Sequence, residues 1–135
     1  MTGKARVYGL MALQEKAAIA AATADLREVA RQKDAAEALL ARLTEALGRQ
    51  GGGTGVRLAT EVMAERAMAA QLMAEAERQR DKAAELAARL AEERARLALR
   101  EKRQQKLLDE AETARREAAA ERQARRDAML PPRRR

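Results

Sequence analysis

The sequence predicts an all-α fold: an antiparallel two-helix coiled-coil hairpin with a longer, overhanging C-terminal helix. Three observations predict it. There is no Phe or Trp and a single Tyr among 135 residues, so the large side chains of a globular core are missing. Alanine supplies most of the 47 % hydrophobic content and buries little area, while 36 % of the residues are charged, a composition typical of coiled coils and long helices. Five of the seven glycines fall within Gly48–Gly55, where they would stop one helix and let the chain turn back.

The elements follow in order. Residues 1–5 are expected as a flexible N-terminus and residues 6–47 as the first helix. With Ile19 at heptad position a, that position reads Ala12, Ile19, Leu26, Lys33, Leu40 and Leu47; position d reads Tyr8, Glu15, Ala22, Val29, Ala36 and Leu43. This spacing puts one apolar stripe along one face. Glu15 and Lys33 break the stripe; such long side chains could snorkel to solvent or fix the register of pairing. Gly48 stands where a left-handed helix cap would fall, and residues 48–55 form the hairpin loop. Gly48 and Gly53 have phosphate-loop spacing, but Thr54 replaces the lysine and no strand precedes, so a turn is the better reading.

Residues 56–99 are expected to pair with the first helix through Leu58, Val62, Ala69, Leu72, Ala76, Ala83, Leu86, Leu90 and Leu97, with Glu65, Gln79 and Glu93 interrupting. A tight turn across Gly51 and Gly52 would set residues whose numbers sum to about 103 opposite one another. The start of the first helix then reaches about Leu97. The seven residues Arg100 to Lys106 carry no apolar side chain, so residues 100–129 are expected as a basic overhanging helix. Its thin stripe of Leu107, Leu108, Ala111, Ala114 and Ala118 would await a partner. Pro131-Pro132 would end the helix, and residues 130–135 form a basic tail. Met63, Met68 and Met73 flank the seam near the hairpin end, as Leu39 does on the first helix; they could widen an alanine-starved seam or offer an adaptable docking patch.

Composition also excludes functions. With no cysteine and no histidine, disulfides, Cys/His zinc sites and His-based acid–base chemistry are ruled out. No catalytic residues, cofactor or metal are expected, and no enzyme. No run of about 18 apolar residues could span a bilayer, and no signal-peptide pattern opens the chain, which points to the cytoplasm. The net charge is +7, of which residues 100–135 contribute +5, from 12 Lys and Arg against 7 Asp and Glu. A basic end implies an acidic partner. Nucleic acid is a poor candidate, since acids and bases are interspersed there and no aromatic side chain offers a stacking platform.

A hairpin of unequal helices whose long arm runs Leu97, then Arg100-Glu101-Lys102-Arg103-Gln104-Gln105-Lys106-Leu107-Leu108-Asp109-Glu110, with a basic tail after Ala128-Met129, resembles the FliJ family of flagellar protein export. It is similar too to the related stalk proteins of type III secretion. The likeness spans nearly the whole chain in architecture and residues 96–129 in detail. The resemblance implies a cytoplasmic component, peripheral to the inner membrane at the flagellar base and monomeric alone. Such a component stands as a stalk in the hexameric export ATPase, promotes its activity, and contacts the membrane export gate and export chaperones. Carried over by position, the ATPase contact implicates Arg100, Lys102, Arg103, Lys106, Leu107 and Leu108. The gate contact implicates Leu39, Leu43, Met63 and Met68, where family members often carry aromatic residues and this chain does not. The competing readings are a structural coiled coil that dimerises through its alanine-rich seam, and a basic nucleic-acid-binding coiled coil.

Overall fold

Two long helices make up the fold of the computed structural model, which describes residues 3–50 and 55–132. Helix α1 spans Gly3–Arg49 and α2 spans Ala59–Met129, and they pack against each other as an all-α hairpin. Among the described residues there is no strand. Nor is any helix among the described residues long and apolar enough to cross a membrane.

The heptad positions read from the sequence are all covered in α1, together with residues beside the stripe such as Ala18, Thr23 and Ala30. From Tyr8 to Leu47, every a and d residue is buried or half-buried, with Ala12, Val29 and Ala36 the most enclosed. The helices divide between two compact units. A terminal unit comprises Met1–Thr23 with Ala95–Arg135, and a hairpin unit comprises Ala24–Arg94.

In the hairpin unit, Val29, Ala36, Ala83, Leu86 and Leu90 form the core, with Leu26 and Ala30 packed against it. Burying each of its larger apolar side chains contributes about 1.5–3 kcal/mol. Thr44 tolerates its helical site because its hydroxyl donates to the Leu40 carbonyl at 2.8 Å. On the solvent face Glu28 accepts hydrogen bonds from Arg31 and Gln32, which hold its carboxyl below the usual range. Gln79 and Arg78 do the same for Glu75. Lys33 reaches along its own helix to Glu37 at 3.1 Å, so it sits at the seam edge rather than across it.

The terminal unit is built differently. Its buried residues are Ala5, Ala12, Ala111, Ala114 and Ala118. Each methyl contributes only about 0.8 kcal/mol by burial. A polar contact supplements them: Arg100 donates to the Glu15 carboxylate at 3.3 Å, with Arg103 at 3.8 Å. The Glu15 side chain is only 13 % exposed. Glu15 therefore spans the seam instead of snorkelling out of it.

Several expected boundaries shift. Helix α1 begins at Gly3 rather than residue 6 and passes through Gly48 to Arg49, so Gly48 is helical and caps nothing. The described glycine with positive φ is Gly55, at 138°, where a side chain would strain the backbone. Residues 55–58 are not helical, and α2 begins at Ala59 rather than residue 56. There the Leu58 carbonyl accepts the Glu61 and Val62 amides, and Leu58 is exposed rather than part of the seam. The hairpin-loop residues 51–54 and the tail residues 133–135 lie outside the described residues.

The largest correction concerns the overhang. Residues 100–118 are not an unpaired helix: Arg100 meets Glu15, and Ala111 is 1 % exposed. Glu15 and Arg100 sum to 115 rather than 103, which puts the pairing axis between residues 57 and 58, in the non-helical stretch before Ala59. The alternating three- and four-residue steps from Val62 to Leu97 continue in register through Arg100, Gln104, Leu107, Ala111 and Ala114 to Ala118, all buried or half-buried. The polar run Arg100 to Lys106 interrupts the chemistry of the stripe but not its geometry. From Ala119 onward α2 is exposed on every face, leaving about 16 Å of unpaired helix to Met129 in place of the expected ~45 Å.

Candidate interaction surfaces

Division of charge follows the division of structure. The segments of the terminal unit carry 16 Lys and Arg against 8 Asp and Glu, a formal +8. Those of the hairpin unit carry 12 against 13, a formal −1. The basic excess thus belongs to a unit that includes the start of α1, with Lys4, Arg6 and Lys16, and is not confined to the end of α2.

The six residues assigned to an ATPase contact do not form one surface. Arg100 is half-buried and committed to Glu15. Arg103 is exposed but leans on the same carboxylate. Leu107 is half-buried at a seam position. Lys102 and Lys106 lie one turn apart and exposed, and no ion pair holds either among the described residues. They are the cations of this stretch that stand free to meet another charge. Leu108 is exposed and faces a groove toward α1.

That groove holds about 530 Å3 and is a feature of the terminal unit alone. Gly9, Leu10 and Leu13 of α1 form one wall, with Leu108 of α2 opposite. Arg6, Lys16 and Arg115 stand around it, and no acidic residue lines it. Leu10 and Leu13 were missed by reading the a/d stripe alone, whereas Leu108 was named. The signal was present in Val7, Leu10, Met11 and Leu13, large apolar residues on the faces of α1 that the stripe leaves out.

No protein-family model matches the chain, and no curated protein or solved structure is significantly similar to it.

The four residues assigned to an export-gate contact are placed in the hairpin unit without meeting as one patch. Leu39 lines a shallow groove with Gln79 and Lys82. Met63 lies 16 residues before Gln79 on α2, about 24 Å along the helix. Leu43 is half-buried, whereas Met63 and Met68 are exposed, as is Met73. The methionines therefore sit outside the seam, and Met73 lines a groove with Leu47, Val62 and Ala69.

Proposed function

We propose that the protein is a non-enzymatic stalk of a flagellar or type III protein-export apparatus, acting by docking its basic terminal unit into the export ATPase ring. The observation that carries this reading is the charge division, a formal +8 on the terminal unit and −1 on the hairpin unit. A protein without catalytic groups can promote an ATPase by binding one subunit conformation better than another. A narrow helix pair with a basic surface suits a ring whose pore is acidic. The FliJ-like order of residues 96–129 supports the same reading.

Lys102 and Lys106 are the residues on which it rests most directly. Arg100 and Arg103 are engaged with Glu15, so they position the helices of the terminal unit before they meet any partner. The gate contact is assigned to the hairpin unit, with Leu39 on one surface and Met63 and Met68 on another, and export chaperones are further partners. Peripheral association with the inner membrane follows from those partners. Alone, the protein is a monomer.

ATP hydrolysis by the purified hexameric export ATPase, with and without this protein, tests the reading. The full chain is expected to stimulate hydrolysis. Lys102→Glu with Lys106→Glu is expected to remove most of that stimulation at unchanged helicity, since both side chains are exposed. Equal stimulation by the double variant, or none by either protein, overturns it.

A further inference from the structure

The terminal unit turns the usual placement of side chains inside out. Alanines fill its seam, while Leu10 at 53 % and Leu13 at 61 % exposure stand outside it. Val7, Met11 and Leu108 are exposed as well. Large apolar side chains left in water beside a formed groove mark a recognition surface.

We propose that this groove binds one amphipathic helix of a partner protein that carries acidic residues at both its ends. Shape, charge and local backbone each point to that occupant. The lining of α1 runs from Ala5 to Lys16, about 16 Å or three helical turns, a trough suited to a helix rather than a compact small molecule. The walls supply leucines for apolar anchors spaced one turn apart. Arg6 and Lys16 lie ten residues apart, about 15 Å, near the two ends of the trough. Neither has an ion-pair partner among the described residues, and Arg115 shares Glu112 at 3.7 Å. With no acid in the lining, an incoming carboxylate meets only cations.

A second copy of this chain is a poor occupant. A two-fold contact would set Arg6, Lys16 and Arg115 against the same three cations of the second copy, with no acid in the lining to offset them. Gly9 adds a design feature. A Cβ built there meets nothing within 4 Å, so glycine is not needed for the two helices to approach. Its absent side chain instead leaves the wall of the groove open, at a cost in helix propensity that an ordinary surface helix has no reason to accept. The inference stands on the terminal unit alone and does not depend on the export reading.

The test uses the full chain and a labelled, capped helical peptide of about 16 residues, with leucines one turn apart along one face and glutamates in its first and last turns. Fluorescence anisotropy is expected to show saturable binding that weakens with salt. Gly9→Glu places a carboxylate in the groove while improving helix propensity, so the variant folds; it is expected to lose at least about tenfold in affinity. Arg6→Gln with Lys16→Gln is expected to lose a similar factor and most of the salt dependence. A peptide with its glutamates changed to lysines is expected not to bind. Equal binding of the two peptides, full affinity in Gly9→Glu, or no binding by the unaltered protein overturns the proposal. So does a concentration-dependent dimer in sedimentation that Gly9→Glu abolishes, which would make a second copy the occupant.

Discussion

Glu15 occupies a seam position where a carboxylate without a partner would be expensive. Two cations one turn apart on α2 answer it, Arg100 at 3.3 Å and Arg103 at 3.8 Å. Because the Arg100 side chain is 43 % exposed, solvent screens much of the attraction, and the pair contributes roughly 1 kcal/mol. Its larger effect is on register: sliding the helices by one turn would set the carboxylate opposite Leu97 or Gln104, neither of which can neutralise it. Glu15→Gln is expected to lower the melting temperature by a few degrees, and Arg100→Gln on that background to cost less than it does in the unaltered protein. A double-mutant cycle from thermal melts checks this, and additive losses would show that the contact contributes nothing. The sequence showed Glu15 as an interruption but not its use, because the answering arginine lies 85 positions away.

Among the elements, α2 shows how geometry outlasts chemistry. Its stripe passes through Arg100 and Gln104 without apolar side chains and resumes at Leu107 in the same register. From Ala111 to Ala118 small residues let the start of α1 approach closely, and Ala111 is almost wholly enclosed. An enlarged side chain there has nowhere to go. Ala111→Leu is expected to destabilise the terminal unit by about 1–3 kcal/mol. Hydrogen exchange should report it as lost amide protection over residues 5–20, with protection around Val29 and Ala36 retained. The same substitution at the exposed Ala119 is expected to be silent, since α2 is exposed on every face from there on.

For the molecule as a whole, the corrected register moves the end of helix pairing from about Leu97 to about Ala118. Two truncations separate these boundaries. A chain ending at Ala118 is expected to keep its thermal stability within about 0.5 kcal/mol, because residues 119–132 are all exposed. A chain ending at Leu99 removes the buried Ala111, Ala114 and Ala118 and the Arg100–Glu15 contact, and is expected to lose helicity in the first turns of α1 as well as its own missing residues. Far-UV circular dichroism distinguishes them, since the second loss should exceed what the deleted residues account for.

What the sequence by itself determined is the kind of structure and the pattern within each helix. Scarce aromatic residues, abundant alanine and a heptad stripe leave a helix pair as the stable solution, and every a and d residue of that stripe in α1 is covered. These are local properties, fixed by 3.6 residues per turn and by which side chains water rejects. The tertiary structure alone decided which residues face each other. Pairing depends on how many residues between Arg49 and Ala59 lie outside both helices, and a glycine-rich stretch does not specify that number. That shift turned a basic overhang into a packed terminal unit, gave Glu15 its arginines, and left Leu10 and Leu13 beside an open groove.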